Sequence, residues 1–193
     1  MTHRKLIQEN FTSLVSLIKN LPNEIFLTLE SEATKIAEVI KNGGTIFWCG
    51  NGGSAADSQH LSAELIGRLV NNRIPLSSIS LNADISALTC IANDFGYERI
   101  FERQLNGLAR NGDYLIVLST SGTSPNILQA LSAAKVIGVR TLALLGKSGG
   151  EAFRLSDSSI VISSDTTARI QEMHKIIGHN ICQIVERELG FKN

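Results

Sequence analysis

Cysteine, proline and aromatic residues are all scarce in this chain of 193 residues: three cysteines, three prolines, one tryptophan, and 5% Phe, Tyr and Trp together. Cys49, Cys90 and Cys182 are odd in number and far apart, which excludes a disulfide framework and a CxxC metal site. All three stand in apolar surroundings and read as buried, reduced thiols. An excess of one charge is missing too, because Lys plus Arg and Asp plus Glu number 18 each. No basic surplus points to nucleic acid or to an anionic membrane surface. No run approaches the ~20 apolar residues of a membrane span. The start, "MTHRKLIQEN", lacks the apolar core of a signal peptide, so the cytoplasm is the expected location. Repeats, low-complexity tracts and linkers are absent as well. What remains is a chain that is 43% apolar, enough for a single domain with a full core.

Residues 1–42 contain no glycine and are helical in pattern. Leu6, Phe11, Leu14 and Ile18, then Ile25, Leu29, Ala33, Ile36 and Ile40, recur at spacings of three and four. Pro22 divides them into two helices. Beyond this N-terminal helical segment, the core of residues 43–193 alternates short apolar strands with helices. The strands are "TIFWC", "PLSSISL", "DYLIVLS", "VRTLALLG" and "SSIVIS". Helices are expected at about 54–70, at 84–110 with an interruption at "NDFGY", at 125–137 and at 167–189. Nearly all-apolar strands of this kind imply an α/β protein whose five-stranded parallel sheet is covered on both faces. Ligands in such sheets bind beyond the carboxyl ends of the strands.

Two turns occupy that position. "LSTSGTSPN" brings the hydroxyls of Ser119, Thr120, Ser121, Thr123 and Ser124 to the start of a helix, with Ser124 as N-cap and Pro125 in the first turn. A helix N-terminus ringed by hydroxyls and N–H groups favours an anion such as phosphate. The loop holds no lysine and no GxxxxGK[ST], which disfavours a P-loop NTPase. Read alone, it is also an ordinary polar capping loop. The second turn, "CGNGGSAADSQHLSAE", carries three glycines, and Ser54 and Asp57 stand at capping-box spacing.

Helical angles of ~100° per residue place Asp57, His60, Glu64 and Arg68 on one face of the following helix. Leu61, Leu65, Leu69, Ile66 and Ala55 centre on the other. His60 and Glu64 at i and i+4 suit a surface ion pair, metal ligation or acid–base work. In "TARIQEMHKIIGHNICQIVERE" the residues Ile170, Met173, Ile177, Ile181, Ile184 and Val185 share a face. His179 points away from that face, Gln171 lies between, and His174 sits at the apolar border.

Taken jointly, "CGNGGSAADSQHLSAELIGR", "IANDFGYERIF", "STSGTSPNIL" and "ARIQEMHKIIGHNICQIVE" resemble the phosphoheptose isomerases of the sugar isomerase (SIS) superfamily over nearly the whole chain. The resemblance implies a three-layer αβα flavodoxin-like SIS fold with N-terminal helices, and a homotetramer with sites between subunits. It also implies the conversion of sedoheptulose 7-phosphate to D-glycero-D-manno-heptose 7-phosphate, the first step toward ADP-heptose for lipopolysaccharide or capsule. Carried over residue by residue, the catalytic pair is Glu64 as base and His179 as acid. Zinc, one per subunit, would be held by His60, Glu64, Gln171 and His179. Substrate contacts fall on Asn51, Gly52, Gly53, Asn93, Asp94, Ser119, Thr120, Ser121, Ser124 and Gln171, with Asp57 and Arg68 at the edge. Some relatives carry aspartate immediately before the Arg of "RIQE"; Ala168 stands there in this chain.

A second reading belongs to another class, a non-catalytic SIS regulator that binds a protein partner such as the replication initiator DnaA. The DnaA initiator-associating protein shares "SAA", "IAND" and "ARIQEMH". Its pattern replaces the Glu of "AEL" and the second His of the last helix, whereas this chain retains Glu64 and His179.

Overall fold

The apolar strands do find helices on both faces. A computed structural model describes residues 1–191. It contains β1 (Ile46–Gly50), β2 (Ser78–Ser80), β3 (Tyr114–Ser119), β4 (Arg140–Gly146) and β5 (Ser158–Ile162). They form one parallel sheet in the order β2-β1-β3-β4-β5. Two helices precede it, α1 (His3–Lys19) and α2 (Asn23–Lys41), with Pro22 as the N-cap of α2. The others are α3 (Gly53–Ile66), α4 (Ile85–Phe95), α5 (Ile100–Leu108), α6 (Pro125–Ile137), α7 (Ala152–Leu155) and α8 (Thr167–Glu188). A 3₁₀ turn at Tyr97–Arg99 fills the expected interruption between α4 and α5. The four-residue α7 has no counterpart in the periodicity analysis.

Alternate side chains of the strands feed two cores. Ile46, Trp48, Ile116, Leu118, Leu142 and Leu144 pack with α2, α3 and α8. Phe47, Cys49, Leu115, Val117, Ala143 and Leu145 pack with α5 and α6. The chain therefore leaves adjacent strands β1 and β3 toward opposite faces, through α3 and α6. This is the topological switch point of a doubly wound sheet, where a crevice opens at the strand carboxyl ends.

Several local expectations need correction. Cys49 and Cys182 are buried, and burial pushes the Cys182 thiol up to about 12, but Cys90 is exposed. It lies on α4, a helix that buries no residue. The capping box at Ser54 does not form, because the N-cap of α3 lies two residues earlier, at Gly52, which makes no side-chain bond. Asp57 instead pairs with Lys175, 2.9 Å away. Ser124 caps α6 through its carbonyl, which accepts from Ile127 and Leu128, and not through its hydroxyl.

The buried stripe of α3 is Ser54, Asp57, Ser58, Leu61, Ser62 and Leu65, while Ile66 is 49% exposed. Serines serve there because they bond locally: Ser58 Oγ donates to the Ser54 carbonyl, and Ser62 Oγ meets Ser78 Oγ at 3.0 Å. The helix also stops at Ile66, short of the expected Val70. Arg73 takes the carbonyls of Glu64, Leu65 and Gly67, and buried Glu186 takes the N–H groups of Leu69, Val70 and Asn71. Arg68 thus lies beyond the helix. His174 is not at a border but fully buried.

Candidate active site

Helices α3 and α8 meet along a seam of three polar rungs. At the top, Gln171 lies against Gly53, where a Cβ would come 2.6 Å from its Nε2. In the middle, Lys175 Nζ pairs with Asp57 Oδ1. At the bottom, His179 Nε2 stands 2.9 Å from His60 Nε2, and His60 Nε2 is 3.3 Å from Glu64 Oε1. The spacing explains the seam: Gly53, Asp57, His60 and Glu64 fall within about 60° on α3, and Gln171, Lys175 and His179 follow at i, i+4 and i+8 on α8. Gly178 permits the close approach, since a Cβ there would meet Leu61 Cδ1 at 2.3 Å.

The bottom rung gathers chemistry. The donor atoms of His60, Glu64 and His179 all lie within 4.8 Å of one another. Two imidazole nitrogens and a carboxylate oxygen are the ligand types of zinc. Ligands bound at 2.0–2.1 Å on a tetrahedral ion stand roughly 3.3 Å apart, close to the 2.9 and 3.3 Å found here. The residues present therefore fit zinc. Gln171 is not part of this cluster; eight residues up α8, it is roughly 12 Å along the helix axis from His179.

The turn after β1 is held from two sides. Asn82 brackets the Gly50 backbone, accepting its N–H at 3.1 Å and donating to its carbonyl at 3.0 Å. The Asn51 carboxamide meets that of Asn126, and the Tyr97 hydroxyl reaches Asn51 Oδ1. The loop after β3 folds on its own hydroxyls: Ser119 Oγ accepts the Gly122 N–H and Ser121 Oγ accepts the Thr123 N–H. Asn93 and Asp94 bond to each other near the end of α4, and the Cys90 thiol faces Asp94. They are exposed, as is Tyr97 just after them in the chain.

Sequence reasoning missed Lys175, Asn126, Tyr97 and Asn82. Lys175 was findable, since it sits one turn from both Gln171 and His179. The amide contacts carry no periodic signal. Buried His174 lies behind the seam. Its Nε2 meets the Leu145 carbonyl at 3.0 Å, and among the described residues its Nδ1 has no partner. Burial pulls its pKa down to about 4, despite the carbonyl and the charge of Asp57, so it stays neutral.

The chain and its fold are similar to those of known proteins. The SIS domain model matches residues 10–146. A phosphoheptose isomerase of Akkermansia muciniphila is 46% identical over 183 residues, covering 95% of this chain and 93% of that protein. One from Helicobacter pylori is 45% identical over 188 residues, covering 97% and 98%. The structure of phosphoheptose isomerase GmhA from Neisseria gonorrhoeae superposes with a TM-score of 0.91 at 33% identity, covering 96% of this chain and all of that one. The seam, the paired turns and this agreement along the whole length lead to one conclusion: the chain belongs to the phosphoheptose isomerase family of SIS-domain proteins.

Proposed function

We propose that the chain converts sedoheptulose 7-phosphate to D-glycero-D-manno-heptose 7-phosphate through a cis-enediol. The observation that carries this reading is the convergence of His60, Glu64 and His179 on the α3–α8 seam, whose upper end, at Gly53 and Gln171, opens at the switch point of the sheet. Glu64 removes a proton from C1 of the ketose and returns one to C2. His179 gives a proton to O2 and takes one from O1, so no proton is gained or lost overall. Ser119, Thr120, Ser121 and Ser124 hold the phosphate at the N-terminus of α6. Asn51, Gly52, Gly53, Asn93, Asp94 and Gln171 contact the sugar.

Zinc, one per subunit, would be held by His60, Glu64 and His179, the three of the four expected ligands that converge, and would supply Lewis-acid polarisation of a sugar oxygen. We further place the protein in the cytoplasm, as the unpaired thiols Cys49, Cys90 and Cys182 suit. Its product enters the route to ADP-heptose. A homotetramer is supported by α1, which packs on the core only through the partly buried Leu14 and Leu17 and exposes Leu6, Ile7, Phe11, Val15 and Ile18. Light scattering should then give about four times 20.9 kDa. The regulatory reading is not favoured, because both Glu64 and His179 are present and converge.

Proton NMR of the protein with sedoheptulose 7-phosphate in D2O tests the reaction. Deuterium at C1 or C2 with a new aldose anomeric signal is expected. Binding of the sugar without exchange would overturn the assignment.

A further inference from the structure

Asn126 is the second residue of α6 and is 2% exposed. Its carboxamide forms a closed pair with that of Asn51, 75 residues away in the chain. Asn51 Nδ2 donates to Asn126 Oδ1 at 2.9 Å, and Asn126 Nδ2 donates to Asn51 Oδ1 at 2.8 Å. The Tyr97 hydroxyl adds a third bond, donating to Asn51 Oδ1 at 3.0 Å. Asn51 Oδ1 thereby accepts twice, which fills its two lone pairs. Asn126 Oδ1 also accepts the Ile127 N–H at 3.0 Å.

The pair sits where the backbone stops helping. Paired residues of β1 and β3 end at Gly50 and Leu118. Beyond that point the chain diverges to α3 on one face and α6 on the other. The Asn51 carbonyl accepts the Ser54 N–H in the first turn of α3, and Asn126 lies in the first turn of α6. The amide pair thus ties one helix N-terminus to the other across the switch point. Glu64 rides on α3, and the serine loop leads into α6. A neutral amide pair also fixes this spacing without changing the charge of a site meant for an anion. A carboxylate in its place would repel phosphate, and an ammonium would compete for it.

We propose that Asn126 and Tyr97 are positioning residues that set the distance between the phosphate-holding loop and the catalytic face of α3. They act through Asn51, and they make a seven-carbon sugar phosphate present C1 and C2 to Glu64 and His179. The proposal rests on the isomerase reading above. It predicts a split between binding the anion and turning over the sugar. Inorganic phosphate touches only the serine loop, whereas sedoheptulose 7-phosphate must span both helices.

The experiment compares wild type, Asn126→Ala and Tyr97→Phe by titration with inorganic phosphate and by steady-state kinetics. The expected result is a phosphate Kd within twofold of wild type in both variants. At the same time kcat/KM should fall at least 30-fold for Asn126→Ala and about threefold for Tyr97→Phe. Equal losses in phosphate affinity and kcat/KM would mean that the loop itself has collapsed, and would overturn the proposal. Unchanged kcat/KM would overturn it too. Tyr97 is 59% exposed and loses only a hydroxyl, so that variant decides the matter if Asn126→Ala does not fold. A wild-type protein that binds phosphate but does not turn over sedoheptulose 7-phosphate would remove the isomerase reading first, and this inference with it.

Discussion

His60 Nε2 and His179 Nε2 stand 2.9 Å apart although 119 residues separate them in the chain. Their rings meet edge to face, with centroids 5.1 Å apart and planes at 76°. That geometry brings the two ring nitrogens together, with Glu64 Oε1 3.3 Å from that of His60.

Glu64→Gln keeps the size of the side chain and removes the base. Turnover should fall by about 10²–10⁴-fold, and sedoheptulose 7-phosphate should still bind. Deuterium incorporation measured by proton NMR is the direct check; a variant that exchanges at the wild-type rate would remove Glu64 from the role of base.

Metal content follows from the same cluster. Purified protein should carry about one zinc per chain by elemental analysis, and His60→Ala or His179→Ala should lower the affinity at least 10-fold, as loss of a ligand does. Cobalt substitution gives an independent reading through its visible absorption. Unaltered zinc affinity in both variants would place the ion elsewhere.

Gly178→Ala should wedge the α3–α8 seam open, because its Cβ would press on Leu61. Overpacking of this kind costs about 1–3 kcal/mol in stability. Leu61→Val in the same chain should recover part of it, and chemical denaturation of the two variants provides the comparison.

His174 should make stability depend on pH. Its folded pKa lies at about 4, below the ordinary value of 6.5. The unfolded chain therefore binds a proton between these values while the folded chain does not. Stability is full above pH 6.5, falls as the pH drops toward 4, and then levels off, by about 3 kcal/mol in total. His174→Gln should flatten that slope. Thermal melts across pH 4–7 measure it, and an unchanged slope in the variant would assign it to another group.

Glu32 stabilises the opposite end of the sheet. Burial alone would raise its pKa, but Arg140, Lys35 and the Tyr114 hydroxyl at 2.6 Å hold it at about 2. The stability it contributes is present above its unfolded value of 4.5 and is lost as the pH falls toward 2. Glu32→Gln should destabilise the protein by about 1–2 kcal/mol at pH 7, since it weakens the bond from the buried Tyr114 hydroxyl and removes the anion that Arg140 and Lys35 meet at the surface. Urea unfolding at pH 7 tests this, and catalysis by the folded variant should be unaffected.

The sequence by itself determined the class of fold, the five strands and the placing of both turns at strand carboxyl ends. Those features follow from local rules: apolar runs bounded by turn residues, helical spacing, and glycine or hydroxyl-rich stretches after strands. Even the ligand-bearing faces of α3 and α8 could be read from angles along each helix. The tertiary structure decided what those angles could not. It chose serines, not Ile66, for the buried side of α3, because the neighbouring strand offers Ser78 as a hydrogen-bonding partner. It stopped α3 at Ile66, through Arg73 shortly after it and Glu186 from the distant α8. It paired Asp57 with Lys175, Asn51 with Asn126, and His60 with His179. Each of these depends on the register in which two remote elements pack, and no local spacing encodes that register.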